Sequence, residues 1–234
     1  MPAEELEILA YEQSVIGMIC LRQRPRPSDP GARVTEITLD HLFLMSDGVT
    51  ASERALATRG LARHGGEALD VVVGGLGLGC TAHEVLRSER VARCEVVELL
   101  PQIIGWHAQG LVPLAGALRA DPRLSVRQDD LYRWLASPPA AGARGHDLIL
   151  IDVDNSPHER FAEVSRGFYT AEGLARAKAH LAPGGVLGVW SCHDSPEFEQ
   201  ALRSVFARVE VEDVEFENEI LGGVEVNWLF FARD

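Results

Sequence analysis

The chain has 234 residues, of which 46% are hydrophobic and 24% charged. That balance suits a globular protein with one large α/β domain and room for a small appendage. The formal net charge is −13, and no basic stripe is present, which argues against a nucleic-acid partner. The longest apolar runs are too short to span a bilayer, so no membrane partner is expected. The start, Met1-Pro2-Ala3-Glu4-Glu5, is acidic and lacks the basic-then-apolar pattern of a signal peptide. The expected location is therefore the cytoplasm. Cys20, Cys80, Cys94 and Cys192 are scattered without metal-ligand spacing. They read as reduced thiols, and no metal is expected.

In chain order, residues 6–44 are β-rich. The apolar runs 8–12 and 16–21 have strand composition. Residues 22–31 hold arginines, prolines and a glycine and read as a loop. Residues 33–37 and 41–45 are two further strands, Ser46-Asp47-Gly48 is a turn, and 50–63 is helical. Residues 1–63 are thus expected to form a small β-rich subdomain with a linker helix. Residues 64–234 should form the main α/β domain. Its strands are expected at 69–74, 93–98, 124–127, 147–152 and 186–191, with helices at 80–90, 101–110, 130–136, 170–181 and 195–206. Pro183-Gly184-Gly185 reads as a tight turn into the fifth strand. The rhythm then breaks. Residues 209–216 and 224–231 are both β-like around Gly222-Gly223, which predicts an antiparallel pair on a mostly parallel sheet.

The stretch richest in chemistry runs from Asp70-Val71-Val72-Val73 through Gly74-Gly75-Leu76-Gly77-Leu78-Gly79-Cys80. A second apolar run, Cys94-Glu95-Val96-Val97-Glu98, follows the intervening helix. Strand, glycine turn, helix, strand and acid in this order form the layout of a nucleoside-binding α/β domain. The glycines allow a sharp turn and a close approach of backbone to ligand. Glu98 can accept hydrogen bonds from both ribose hydroxyls.

With those residues in view, the chain resembles the spermidine synthase (polyamine aminopropyltransferase) family. Val71 to Val85 follows the family's V-L-V-I-G-G-G-D-G-G-T-L-R-E-V without a gap, and Val97-Glu98 follows its V-E-I-D. Asp121-Pro122-Arg123 through Asp130 to Leu135, Asp147 to Asp152, Phe168-Tyr169 and Pro183 to Val186 follow later family segments. Leu44 to Val49 echoes L-M-L-D-G-V. The resemblance implies a Rossmann-like class I S-adenosylmethionine-transferase sheet, mostly parallel with an antiparallel C-terminal strand, behind a small β-rich N-terminal subdomain. It implies donor contacts from Gly75, Gly77, Leu78 and Gly79, from Glu98 and Leu99, from Asp130 and Leu131, and from Asp152. As a residue before a helix, Asp130 also reads as an N-cap, and both roles are compatible.

The departures bear on the chemistry. The family's glycine-loop aspartate, which pairs with the ammonium of decarboxylated S-adenosylmethionine, is Leu78 here. Leucine cannot hold that ammonium. The expected donor is therefore S-adenosylmethionine itself, its carboxylate bound by loop N–H groups, unless another acid such as Asp152 or Asp154 takes over. The family's D-S-T-D-P segment is Asp152-Val153-Asp154-Asn155-Ser156-Pro157, with the second acid shifted by one. Asp152, Asp154 and His158 are the candidate catalytic residues, as bases or amine holders. The family's acceptor-side Gln and Tyr-His pair are missing from Thr50 to Arg59, and Glu53 or a flexible loop is the candidate replacement. Tyr169 and His193 are secondary candidates. The expected activity is transfer of a methyl group to a small acceptor, an amine being one candidate. The alternative is aminopropyl transfer to a polyamine from the decarboxylated donor, and a further one is a non-catalytic nucleoside-binding protein. A homodimer is expected.

Overall fold

The computed structural model describes residues 6–29, 31–153, 156–157, 167–218 and 222–234. Near the start, apolar residues two apart drive a four-stranded antiparallel sheet: β1 (Glu7–Ser14), β2 (Gly17–Pro25), β3 (Arg33–Leu39) and β4 (Leu42–Ser46), in that spatial order. Ile19, Leu21 and Ile37 supply its buried side, as the period of two requires. The loop expected from residue 22 begins later than composition implies. Glu36 of β3 is 1% exposed, and a buried carboxylate needs partners. Arg22 pairs with it at 2.9 Å, and Arg24, on the same strand face, pairs with it too. Those two contacts carry β2 on to Pro25.

The second sheet has seven strands: β5 (Leu69–Gly74), β6 (Val91–Glu98), β7 (Leu124–Gln128), β8 (His146–Ile151), β9 (Leu181–Ser191), β10 (Arg208–Glu217) and β11 (Val224–Arg233). Their order is β10-β11-β9-β8-β5-β6-β7. Strands β5 to β9 pair in parallel, and β11 runs antiparallel to both β9 and β10. Val71 to Val73 and Leu148 to Leu150 are fully buried, as expected of strands covered on both faces. The covering helices are α1 (Ala51–Ala62), α2 (Cys80–Leu86), α3 (Pro101–Gln109), α4 (Ala115–Ala120), α5 (Leu131–Ala136), α6 (Ala171–Lys178) and α7 (Pro196–Arg203). Helix α1 lies over β8, β9 and β11. Gly60 makes that approach close: a Cβ there would fall 2.9 Å from Leu150 Cδ2. Helix α4 goes beyond the expected elements, because six residues are too few for a helical period to show. The turn expected at 183–185 is an irregularity inside β9, where the pairing skips from His146↔Leu181 to Leu148↔Val186.

This topology fixes where a ligand can sit. Around β5 the connections run outward to β6 and β7, then return to β8 and β9 on the other side. Open α/β sheets bind ligands at such a switch point, beyond the carboxyl ends of the strands. The last pairing of β5 with β8 is Gly74↔Ile151. Gly75 and Asp152 therefore leave the sheet side by side. Among the described residues no helix is long and apolar enough to cross a membrane.

Candidate active site

The glycine turn is held by a dense set of backbone contacts. Gly75 N–H donates to Val97 O at 2.9 Å, and Gly79 N–H donates to Leu76 O at 2.7 Å. Leu76 N–H donates to Glu98 Oε2 at 2.8 Å, and Leu100 N–H donates to Glu98 Oε1 at 2.7 Å. Burial raises the pKa of Glu98, and these backbone N–H groups oppose that shift. Behind the turn, His107 Nε2 lies 2.9 Å from Gly77 O. Burial lowers the His107 pKa, which favours a neutral ring donating Nε2–H to that carbonyl. Gly75 has φ +87°, and a Cβ on it would fall 2.4 Å from Asp152 O. Gly75→Ala is expected to push the turn and Asp152 apart, weakening nucleoside binding about tenfold through backbone strain of 1–3 kcal/mol. Calorimetric titration with methylthioadenosine reads this. Gly116→Ala, where a Cβ meets nothing within 4 Å, is the control.

Two cavities meet at this turn. The smaller, about 100 Å³, is lined by Glu98, Leu99, Ile103, Asp130, Leu131 and Tyr132. Asp130 N-caps α5, accepting from Arg133 N–H at 3.1 Å. A carboxylate has about four acceptor sites, so Asp130 retains capacity for a ligand. Tyr169 stands behind Tyr132, their hydroxyls 3.1 Å apart. The larger cavity, about 310 Å³, is lined by Glu53 of α1, Thr81 of α2, Asp152, Trp190 of β9, and Phe216 and Glu225 of the β10–β11 pair. Gly75, Gly77 and Asp152 border both cavities. Leu76 and Leu78 border the larger one without filling it, so the condition that favours a non-catalytic protein is not met.

The carboxyls of the larger cavity are electrostatically linked. Asp152 Oδ2 accepts from Thr81 Oγ1 at 2.7 Å. Burial raises its pKa to about 6, against the lowering effect of that hydrogen bond. Burial raises Glu53 to about 7, and the negative charge of Asp152 adds to the shift. Two carboxyls facing one cavity retain a proton more readily than either alone. Ser52 Oγ lies 2.9 Å from both Glu53 Oε2 and Asn227 Oδ1. This contact ties the start of α1 to β11.

Gly75, Gly77, Leu78, Glu98, Leu99, Asp130, Leu131 and Asp152 all border one cavity or both. Leu78 faces the larger one. Gly79 lines neither. It N-caps α2 with φ 89° and packs toward Leu118 and His107. His193 is exposed and borders neither cavity. Asp154 and His158 lie outside the described residues. Of the loop N–H groups expected to hold a donor carboxylate, those of Gly75, Leu76 and Gly79 are already used within the protein. Sequence reasoning passed over Glu225, whose strand joins the site only through tertiary pairing, and Glu53 was no more than a stand-in. Among the described residues no group of three His, Cys, Asp or Glu side chains is placed to hold a metal.

No family model matches the chain. A polyamine aminopropyltransferase of Corynebacterium efficiens is 32% identical over 166 residues, which cover 68% of this chain and 30% of that protein. The chain spans half or less of the length of the first curated relatives it matches. The solved structure of a spermidine synthase in complex with the transition-state analogue AdoDATO superposes with a TM-score of 0.75 at 19% identity, over 97% of this chain and 73% of that one. Human methyltransferase-like protein 13 in complex with SAH gives a TM-score of 0.61 at 20% identity, over 78% of this chain and 82% of that one. At such identities these likenesses establish the fold. This chain is similar in sequence to polyamine aminopropyltransferases and has the α/β fold seen both in spermidine synthase and in methyltransferase-like protein 13.

Proposed function

We propose that this protein is an aminopropyltransferase that moves the aminopropyl group of decarboxylated S-adenosylmethionine to a small polyamine. One observation carries the reading. The larger cavity presents Glu53, Asp152 and Glu225 and, among the described residues, no Lys, Arg or His. Such a cavity attracts an ammonium and repels a carboxylate. S-adenosylmethionine would bring a carboxylate with no cation to meet it. The decarboxylated donor brings only cations. Leu78 therefore does not argue for the methyl donor, because Asp152 and Glu53 offer the charge that the glycine loop lacks. The sequence likeness to polyamine aminopropyltransferases supports the same choice, and the methyl expectation loses its basis.

In this reading Glu98 holds the ribose, while Asp130 and Leu131 hold the adenine. Gly75 and Gly77 let the sulfonium arm pass from the smaller cavity to the larger. Asp152, on the shared wall, takes the proton of the acceptor ammonium. The freed nitrogen lone pair then attacks the propyl carbon next to sulfur. The carbon–sulfur bond breaks, its electron pair stays on sulfur, and methylthioadenosine leaves uncharged. The sulfonium is already a good leaving group, so alignment of the reactants supplies much of the rate.

The test is product mass. Either donor is incubated with the protein and a panel of primary amines. The expected result is an amine heavier by one aminopropyl group, formed with methylthioadenosine and only from the decarboxylated donor. A methylated product, or no transfer to any amine, would overturn the proposal.

A further inference from the structure

We infer that His107 is a positioning residue for the donor: from behind the glycine turn it holds the Gly77 carbonyl clear of the passage between the two cavities, so that the sulfonium arm can cross. The inference rests on the aminopropyl-transfer reading and deepens it. Gly77 borders both cavities and has φ +46°. With no Cβ, the peptide groups on either side of it rotate at little cost. A turn built on such a residue keeps one shape only if each peptide group is held from outside. Both holds come from β6 and the helix that follows it. The N–H of Gly77 is among the backbone groups that stabilise the charged form of Glu98, the last residue of β6. The Gly77 carbonyl lies 2.9 Å from Nε2 of His107, on α3.

The ring is well fixed for this task. His107 is 6% exposed, and its Cε1 packs against the turn, where a Cβ on Gly79 would fall 3.1 Å away. A carbonyl can only accept, so Nε2 carries the hydrogen, and the contact needs no positive charge. Met45, which borders both cavities, meets Gly77 from the cavity side. A Cβ on Gly77 would fall 2.6 Å from its Sδ. Without the Nε2–H, the Gly77 carbonyl would be buried and unpartnered, which costs free energy. Its freedom to rotate lets it turn toward the cavities, where water can satisfy it and where it obstructs the arm. The contacts proposed for adenine and ribose, at Asp130 and Glu98, do not use this carbonyl. Loss of the His107 donor therefore acts on the arm and spares the nucleoside.

Calorimetric titration, with no acceptor present, compares decarboxylated S-adenosylmethionine with adenosine, which has no sulfur arm. His107→Leu fills the space but removes the donor. It is expected to weaken the arm-bearing ligand about tenfold, equivalent to 1.4 kcal/mol, and to leave adenosine within about twofold. His107→Gln places an amide N–H near the position of Nε2 and should restore most of the loss. His107→Asn, one methylene shorter than glutamine, should behave as the leucine variant does. A merely structural role would weaken both ligands alike. Nitrogen NMR of the native protein should show a neutral His107 ring with its hydrogen on Nε2. Equal losses for the two ligands, no loss in His107→Leu and His107→Asn, no rescue by glutamine, or a hydrogen on Nδ1 would overturn the inference. If S-adenosylmethionine is instead the arm-bearing ligand that binds and follows His107 in this way, the proposed donor falls and the role of His107 stands.

Discussion

Asp152→Asn is expected to lower turnover by about 10²–10⁴, the range for loss of a general base, while affinity for methylthioadenosine changes little. The asparagine keeps the shape and can still meet Thr81, but it can neither take a proton nor attract an ammonium. In the native protein, activity should climb between about pH 6 and 8, as the Glu53–Asp152 pair loses its retained proton. The same shifts govern stability. Both carboxyls have folded-state pKa values raised above their ordinary range. The folded protein then binds more protons than the unfolded chain between roughly pH 4 and 7. Their contribution is most favourable below pH 4 and is lost as pH rises through 6 and 7. Asp152→Asn removes one of the two facing charges. The ligand-free variant should therefore melt higher than the native protein at pH 8, by about 2–4 °C for each kcal/mol relieved. At pH 4 the melting points should converge. Unchanged turnover together with a native pH profile would show that Asp152 only closes the loop after β8.

Glu98→Ala should be damaging in a different way. Both oxygens of Glu98 accept backbone N–H groups, from Leu76 in the glycine turn and Leu100 before α3. Alanine leaves these two buried donors without their charged partner. At about 1.5–3 kcal/mol per hydrogen bond to a charged group, the expected loss of stability is about 3–5 kcal/mol. Urea unfolding measures it. Nucleoside binding should fall at least a hundredfold, because the turn loses its anchor and the ribose its acceptor. Glu98→Gln keeps one carbonyl oxygen and should fall between the two. A variant that is folded, stable and fully able to bind methylthioadenosine would remove Glu98 from the site.

The sequence makes the residues around the smaller cavity easier to pick out than those around the larger, and the reason is physical. Gly75, Gly77, Glu98 and Asp130 sit at the ends of consecutive parallel strands, so local pattern and cavity position coincide. Their proposed roles follow from a glycine turn and an acid one strand later. The larger cavity is assembled from distant segments. Glu53 comes from α1, Thr81 from α2, and Glu225 and Asn227 from β11. No local period marks a residue whose neighbours lie 175 positions away, as Ser52 and Asn227 do. Reading Leu78 alone pointed toward S-adenosylmethionine, because the carboxylates on which the proposed donor rests are brought in by tertiary structure. The expected loop at 22–31 erred for a similar reason. Arg22 and Arg24 are polar by composition, yet the buried Glu36 on the neighbouring strand makes them part of a sheet.

The position of β11 between β9 and β10 has a consequence for how the protein is made. On the ribosome, β10 emerges before the strand that joins it to the sheet. Until residues 224–233 are free, β10 has no partner and the apolar edge of β9 stays open. Open edges of this kind recruit other chains, and pairings that await distant sequence are slow to form. Completion of the larger cavity is thus a late event, coming after the strands that line the smaller one have emerged. A nascent chain stalled before β11 should bind methylthioadenosine yet show no preference among amines, and it should be the species most prone to co-translational aggregation.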